Sequence, residues 1–197
     1  MKKPNAEMLL NAYAQGIFPM AHEDQDFEIY WYAPDPRAII PLDAFHASRR
    51  LRQTVRRGTF EIRFSTAFEQ VMEACAAPRG QDSGTWISAG IIEAYTELHR
   101  HGFAHSVEAW RDGELVGGLY GVALRGLFAG ESMFHTERDA SKVCLYHLVE
   151  RMNERGYALL DTQFTTDHLA KFGTIEIPRE EYEQRLDQAL ELDCRFV

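Results

Sequence analysis

The sequence predicts an α+β fold, in which a mixed sheet built on a β-hairpin carries flanking helices and follows a small N-terminal domain. The stretch from Glu114 to Thr136 has apolar runs on both sides of an Arg125-Gly126 pair, which is typical of two strands joined by a tight turn. After residue 58, strand-like and helix-like apolar spacings alternate, whereas the earlier residues are aromatic, proline-rich and irregular. We therefore expect a small domain at residues 1–58 and a larger one at residues 59–197.

The elements predicted before residue 58 are short. Residues 5–15 have apolar side chains on one helical face, and Asn5 can cap the helix. Residues 17–20 predict an apolar elbow and residues 21–28 a polar loop. Strands at 29–32 and 38–42 lie on either side of a Pro-Asp-Pro break, since proline cannot donate to a ladder, and a helix follows at 48–57.

The larger domain is predicted to alternate strands and helices. Its strands have apolar residues at every second position, and its helices have them at helical spacing and often end at glycine. The predicted elements are a strand at 59–65, helices at 67–76 and 87–101 with a loop at 78–84 between them, strands at 104–111, 115–122 and 127–134, a helix at 141–155, a strand at 157–163, a helical turn at 167–172, a strand at 174–177 and a helix from 178. This is also the element order of the Gcn5-related N-acyltransferase fold, an analogy that does not by itself fix a function.

Composition excludes several classes of protein. No apolar run approaches the roughly 20 residues that cross a bilayer, and the N-terminus does not resemble a signal peptide. Cys75, Cys144 and Cys194 are far apart and form no CxxC unit, which argues against a disulfide framework or a zinc site and fits a reducing compartment. We expect a cytoplasmic protein that does not contact membranes.

One segment is strongly basic although the net charge of the chain is −9. Residues 46–63 hold six arginines, no lysine and a single acid, Glu61. The guanidinium fork suits phosphate oxygens, and the field near a surface follows its local charge, so the segment favours phosphate contacts. A solvated helix face is the alternative interpretation.

Glu131 is unusual because it stands inside an apolar strand of the predicted hairpin. Burying a lone carboxylate costs several kcal/mol, so Glu131 must be paired, hydrogen-bonded or directed at a cleft. Gly117, Gly118 and Gly130 nearby would let another backbone or a ligand come close. The alternative is a core hairpin with one solvated glutamate.

A second candidate site is the strand that contains Asp161 and Gln163. The two residues are two positions apart, so a regular strand places them on one face, where a carboxylate and an amide can orient an amine. If two of Glu108, Glu131 and Asp161 line one cleft, that cleft would suit a cation. A solvated edge strand and ordinary core packing remain as alternatives.

Common cofactor and metal motifs do not occur in the sequence. It contains no HExxH, GxSxG, Walker or GxGxxG motif. We therefore expect no metal and no cofactor.

Ten short motifs, spread from about Tyr13 to Tyr182, carry a family resemblance. They are GIFPM (16–20), WYAPDPR (31–37), FHASR (45–49), WI (86–87), AHSVE (104–108), LVGGLYGV (115–122), GESMF (130–134), ASK (140–142), LDTQ (160–163) and EIPR (176–179). Together they resemble the leucyl/phenylalanyl-tRNA–protein transferase family. Many motifs in the right order are more specific than any one of them.

The resemblance implies an aminoacyl transfer. Leu or Phe, with Met as a further candidate donor, would move from aminoacyl-tRNA to the N-terminal α-amino group of proteins that begin with Arg or Lys. The products would enter the bacterial N-end rule degradation pathway. The resemblance also implies an N-acyltransferase fold after a small first domain, and a monomer is expected.

In this family the positions of Asp161 and Gln163 are those proposed to position or activate the attacking amine. The aminoacyl ester is already activated, so the reaction needs orientation and charge stabilisation rather than a metal or ATP. An ionised Asp161 alone would favour the protonated amine, so we expect it to orient Gln163. Whether Gln163 or a tRNA hydroxyl takes the proton stays open.

The resemblance also implies binding residues. Glu131 would lie in the acidic pocket that meets the basic acceptor, and Trp31 and Trp86 match aromatic residues that contact the 3′-terminal adenosine. Leu119 and Phe128 fall where the family builds its apolar pocket. The expected tRNA-binding residues are Arg37, Arg49, Arg50 and Arg52.

Some positions depart from the family pattern. Thr162, His135, Thr166 and Leu119 stand where Cys, Ser, Asn and Met are common, which bears on donor preference and efficiency more than on reaction class. The chain also lacks the glycine-rich stretch that usually precedes the first helix, so a trimmed first domain is expected.

Two other functions compete with this interpretation. An acyl-CoA-dependent N-acetyltransferase normally has a glycine-rich loop before the helix at 141–155, but residues 137–142 contain no glycine. A non-catalytic tRNA- or degron-binding protein is the second alternative, and the presence of Glu131, Asp161 and Gln163 argues weakly against it.

Overall fold

The computed structural model describes residues 4–22, 28–78 and 85–197. Within these ranges the chain forms a two-stranded sheet and a seven-stranded mixed sheet with helices on both faces. The predicted α+β class is confirmed. Across the described ranges, no helix combines the length and the apolar character that crossing a membrane requires.

The N-terminal segment forms a helix and a two-stranded ribbon. The helix α1 (Ala6–Tyr13) is capped by Asn5, whose side chain accepts a 2.8 Å hydrogen bond from the backbone N–H of Met8. Strands β1 (Phe18–His22) and β2 (Glu28–Tyr32) pair antiparallel. The elbow predicted at residues 17–20 was wrong, because a proline can occupy a strand of an isolated ribbon. The loop predicted at 21–28 falls mostly outside the described residues.

The large sheet has the strand order β4-β5-β6-β7-β8-β3-β9. Its strands are β3 (Arg37–Ile40), β4 (Glu61–Phe64), β5 (Ala104–Arg111), β6 (Glu114–Leu124), β7 (Leu127–His135), β8 (Leu159–Gln163) and β9 (Ile175–Ile177). The central hairpin is confirmed, with its turn at Arg125 and Gly126. Strand β3 precedes residue 58 yet pairs with β8 and β9 inside this sheet, and the division at residue 58 stays a prediction.

The helices cover both faces of this sheet. They are α2 (Arg49–Arg56), α3 (Phe68–Ala76), α4 (Ala89–Arg100), α5 (Ala140–Arg155) and α6 (Arg179–Leu190). Because side chains alternate along a strand, Phe128 and Leu160 pack with α5 while their neighbours Ala129 and Leu159 pack on the opposite face. Helix α2 packs against α5 on the first face, and α3, α4 and α6 cover the second.

A wedge opens where β7 and β8 separate. These two strands are the parallel pair of the sheet, and they are hydrogen-bonded only between residues 127–129 and 159–161. Tyr120 lies opposite Ser132 whereas Gly121 lies opposite Gly130, so Glu131 is the extra residue of a β-bulge. A bulge bends its strand and redirects a side chain, which turns Glu131 toward the wedge.

The wedge is closed on one side by the first turn of α5. A Cβ atom at Gly117 would lie 2.5 Å from the Cβ of Ala140, so glycine at this position lets α5 start directly against β6. Of the glycines expected to let another backbone or a ligand come close, Gly117 is approached by the backbone of Ala140 and Ser141, whereas Gly118 meets the side chains of Phe134 and Val71.

Candidate active site

The wedge between β7 and β8 contains a cavity of about 440 Å³. Aliphatic and thioether side chains from β6, β7, α5 and β8 form its apolar floor, namely Leu119, Met133, Leu145, Leu148 and Leu160. Cavities of this size with mostly apolar walls and a few polar groups are typical small-ligand sites.

Aromatic residues and a methionine form one side of the cavity. Phe18 and Met20 of β1, Trp86 before α4 and Phe164 after β8 all line it. The rings of Phe18 and Phe164 meet edge to face, with centroids 5.8 Å apart. This side offers flat and polarizable surfaces against which a planar ring could stack.

Glu131 is the carboxylate of the cavity wall, and two tyrosines hold it. The hydroxyl of Tyr13 donates to Glu131 Oε1 at 2.7 Å, and that of Tyr95 lies 3.4 Å from Oε2. The two hydroxyls also contact each other. Burial raises the pKa of both tyrosines well above the ordinary value, so they stay protonated and fix the carboxylate as donors.

The environment of Glu131 disfavours its charge. Burial raises the pKa of Glu131 to about 8, and the nearby charge of Asp161 acts in the same direction. The hydrogen bond from Tyr13 and the charge of Arg37 offset this only in part. Glu131 is therefore mostly neutral at pH 7 until a cation or an amine arrives beside it.

Gln163 meets Glu131 at the cavity wall. Its backbone has φ of +59°, a left-handed conformation that is uncommon for a residue with a side chain. Its side-chain Nε2 lies 3.3 Å from Glu131 Oε1. The amide and the carboxyl thus form one polar patch on the cavity wall.

Asp161 lies behind this patch and is completely buried. Its two carboxylate oxygens accept hydrogen bonds from Arg37 Nε at 2.9 Å and Arg37 Nη2 at 2.6 Å. The hydroxyl of Tyr182 donates to it at 3.0 Å and the backbone N–H of Gln163 at 2.9 Å. Of the two predicted residues, Gln163 lines the cavity and Asp161 does not. That their side chains share one face stays a prediction. Asp161 fixes the backbone of Gln163.

Arg37 is occupied entirely inside the protein. It is 2% exposed, its Nη1 donates to the carbonyl oxygen of Gly16 at 2.8 Å, and its guanidinium lies over the rings of Phe18 and Tyr182. Although burial opposes it, the bonds with Asp161 raise the pKa of Arg37. This position does not present the side chain to a tRNA phosphate.

The predicted binding residues lie in different surroundings. Leu119 and Trp86 line the cavity. Phe128 is fully buried against Phe196 and is not part of the cavity wall, and Trp31 is 40% exposed on β2. Met20, which lies on β1 beside β2, lines the cavity and was missed, since its contact with the wedge depends on the long-range placement of the ribbon.

Other predicted residues lie outside the cavity. Arg49, Arg50 and Arg52 are exposed on α2, which fits a surface for phosphates. Glu108 does not join Glu131, because its carboxylate accepts from the backbone N–H groups of Thr66 and Ala67 before α3. These bonds fix the turn that leads into α3.

Comparison with known proteins relates this chain to a family. A family model described as leucyl/phenylalanyl-tRNA protein transferase matches residues 39–187, and the model of its N-terminal domain matches residues 3–35. The leucyl/phenylalanyl-tRNA–protein transferase of Herpetosiphon aurantiacus is 59% identical over 196 residues, with 99% of each chain covered. That of Gloeobacter violaceus is 58% identical over 190 residues, with 96% of each chain covered.

A solved structure from another family also aligns. The ribosomal-protein-alanine N-acetyltransferase of Brucella melitensis biovar Abortus 2308 has 19% identity and a TM-score of 0.39, over 64% of this chain and 89% of that one. The sequence relationships are much closer and extend over the whole chain. The chain therefore belongs to the leucyl/phenylalanyl-tRNA–protein transferase family and is a transferase.

Proposed function

We propose that this protein transfers Leu or Phe from aminoacyl-tRNA to the N-terminal α-amino group of proteins that begin with Arg or Lys. The observation that carries the proposal is the meeting of Glu131 and Gln163 on the wall of an apolar cavity in a chain of this family. The apolar part suits the side chain of the donor, and the carboxyl suits a basic acceptor.

The donor side chain fits the floor formed by Leu119, Met133, Leu145, Leu148 and Leu160. Burying a Leu or Phe side chain contributes about 1.5–3 kcal/mol, whereas a polar side chain would lose its hydration there without a partner. A floor of flexible and branched aliphatic residues also accepts more than one apolar shape, so Met remains a further candidate donor.

The terminal adenosine of the donor is assigned to the aromatic side of the cavity. Stacking of a base on an aromatic ring contributes about 1–3 kcal/mol, and Trp86 with Met20 provides such a surface. Trp31 is exposed outside the cavity, so we assign the stacking role to Trp86 and not to Trp31. The exposed Arg49, Arg50 and Arg52 would hold phosphates of the acceptor stem.

The acceptor is recognised through the carboxyl of Glu131. A cation placed beside it stabilises the ionised form, which the empty cavity disfavours. An acceptor without a positive side chain would have to leave the carboxyl neutral and gains no such contact. This difference supports a preference for N-terminal Arg or Lys.

The reaction exchanges an ester for an amide. The neutral amine of the acceptor attacks the ester carbonyl carbon, the new C–N bond forms, and the C–O bond to the ribose breaks. The amine gives up one proton and the departing ribose oxygen gains one, so the step is balanced without a metal or ATP. Gln163 would orient the amine, and Asp161 is a positioning residue that acts through the backbone N–H of Gln163.

The product would be a protein with a new apolar N-terminal residue. We propose that it is then removed by N-end rule degradation, and we place the reaction in the cytoplasm, where charged tRNA is available.

The test is transfer of radiolabelled leucine from charged tRNA to peptides that begin with Arg, Lys or Ala and are otherwise identical. Label on the Arg and Lys peptides alone is expected. Label on all three would remove the role of Glu131 in selection, and label on none, with acetyl-CoA consumed instead, would refute the proposed reaction.

A further inference from the structure

Three cationic side chains converge on one aspartate at the start of α5. Lys142 Nζ lies 2.6 Å from Asp139 Oδ1, whereas Arg50 Nε and Arg138 Nε lie 3.7 and 3.9 Å from Asp139 Oδ2. Arg50 comes from α2, which packs against α5. These four residues, here called the Asp139 cluster, carry a net charge of +2 on a chain whose total is −9.

The side chain of Asp139 pairs with the cations and does not cap helix α5. Asp139 has φ of +68° and occupies the N-cap position of α5, yet its side chain makes no capping hydrogen bond. Although burial opposes it, the bond from Lys142 helps to hold the pKa of Asp139 below the ordinary value. Asp139 is therefore an anion that gathers three cations.

The two arginines of the cluster gain little from Asp139. Arg50 is 62% and Arg138 74% exposed, and long ion pairs at such a surface contribute little to stability. With respect to the part of the chain that the structure describes, most of their N–H donors remain available to a ligand, and a doubly charged patch attracts an anion. The nearby acid Glu137 does not cancel this charge, because Arg111 holds it at 2.6 Å.

The cluster adjoins the cavity. Ser141, which lies between Asp139 and Lys142, lines the cavity and its Oγ is 3.3 Å from His135 Nδ1. His168 lines the same end, and its buried Nε2 has no hydrogen-bond partner among the residues that the structure describes. A buried polar atom without a partner on a cavity wall is typical of a position where a ligand completes the hydrogen bonding.

We propose that the Asp139 cluster binds the phosphodiester backbone at the 3′ end of the donor tRNA, between the arginines of α2 and the cavity. The inference rests on the proposed function, because it assumes a tRNA donor whose last residue enters the cavity. The backbone runs from α2 over Arg50, Arg138 and Lys142, and His168 Nε2 hydrogen-bonds the terminal nucleotide inside.

Two aminoacyl donors distinguish binding of the tRNA backbone from an effect on the reaction itself. Charged tRNA has the phosphodiester backbone, whereas 3′-O-leucyl-adenosine has the same reacting ester and no phosphate. In Arg138→Glu and Lys142→Ala, the ratio of kcat/KM for charged tRNA to kcat/KM for leucyl-adenosine should fall about tenfold. Arg100→Ala is the matched control. Arg100 is about as exposed as Arg138 and is paired with Glu69, but it lies at the end of α4 far from Trp86. In this variant the ratio of the two kcat/KM values should not change.

Binding of uncharged tRNA to a filter tests the same contacts without turnover. A plot of log affinity against log salt concentration has a negative slope. The magnitude of this slope should become smaller by about one in Lys142→Ala and by at least that much in Arg138→Glu. Equal losses with both donors, or unchanged slopes, would overturn the inference. A wild-type protein that binds tRNA with a cluster-dependent slope but transfers nothing would refute the proposed function and leave this binding site standing.

Discussion

Replacing Glu131 with Gln should remove the charge-dependent part of acceptor recognition while the side chain keeps its size. Burial raises the pKa of Glu131 from its ordinary value of 4.5 to about 8. About one molecule in ten then holds it ionised at pH 7, and about nine in ten at pH 9. If the cationic acceptor binds the ionised form, kcat/KM should rise about tenfold over this range through Glu131 alone, because kcat/KM reports the free enzyme.

The acceptor itself also titrates in this range, since an α-amino group has a pKa near 8. The assay therefore measures kcat/KM for one Arg peptide from pH 7 to 9 with the wild-type protein and with Glu131→Gln. At each pH, the value for the wild type is divided by the value for Glu131→Gln. Both proteins use the same peptide, so ionisation of the amine cancels. The ratio should rise about tenfold.

A peptide that begins with citrulline, the uncharged isostere of arginine, is the control. With this peptide the ratio should stay flat, because there is no cation to meet the carboxylate. A flat ratio with the Arg peptide as well would refute the reasoning. Equal activity of both proteins at pH 9 would show that the charge of Glu131 does not recognise the acceptor.

Three further changes test the surroundings of the site. Arg37→Met should lower the free energy of unfolding by about 3–5 kcal/mol, because it leaves Asp161 buried without its partner. In denaturant unfolding, the double variant Arg37→Met with Asp161→Leu should lose less stability than the sum of the losses in the two single variants. Burial lowers the pKa of His105 from 6.5 to about 4. As the pH falls, His105 is therefore protonated in the unfolded chain before it is protonated in the folded protein. The free energy of unfolding should fall by up to about 3 kcal/mol between pH 6.5 and pH 4, and His105→Gln should remove this contribution to the pH dependence. Leu119→Ala enlarges the apolar floor and should shift kcat/KM about tenfold toward phenylalanyl-tRNA over leucyl-tRNA.

Each of these changes has an outcome that contradicts it. Additive costs in the double variant would mean that Arg37 and Asp161 do not stabilise each other. An unchanged pH slope in His105→Gln would assign the acid sensitivity to other groups. Equal losses with both charged tRNAs in Leu119→Ala would indicate a packing defect and no role in donor choice.

The central hairpin could be predicted from the sequence because its signals are local. Apolar strands and an Arg-Gly turn lie within about twenty residues, and the turn is where the structure has Arg125 with φ of +56°. The position of Glu131 in an apolar strand also indicated a carboxylate with partners. Its partners Tyr13 and Tyr95 come from distant helices, and no local pattern reveals them.

The arrangement around Asp161 could not be predicted for a physical reason. Arg37 and Asp161 are 124 residues apart in sequence, and the pairing of β3 beside β8 brings them together. An arginine after Pro-Asp-Pro looks like a surface residue until that pairing is known. The pairing with β3 is also irregular between Asp161 and Gln163, and the backbone of Gln163 is left-handed, neither of which a regular strand pattern predicts.

The residues on the aromatic side of the cavity also could not be predicted from local sequence patterns. Trp31 and Met20 lie on the two strands of one ribbon, and which of them reaches the cavity depends on how that ribbon sits against the sheet. Phe128 is buried rather than cavity-lining because its ring packs against Phe196 near the other end of the chain.

Transfer by a series of variants at Gly130 tests most directly that the cavity is the site of reaction. Gly130 lines the cavity, and among the described residues other than its two chain neighbours, only the carbonyl oxygen of Asp161 would lie within 4 Å of a Cβ atom there, at 3.6 Å. Gly130→Ala should therefore retain most of the transfer of labelled leucine from charged tRNA to an Arg peptide. Gly130→Val fills the space beside Glu131 and should lose at least about tenfold, with the affinity for uncharged tRNA unchanged. A Gly130→Val protein that transfers leucine as fast as the wild type would contradict the assignment of this cavity.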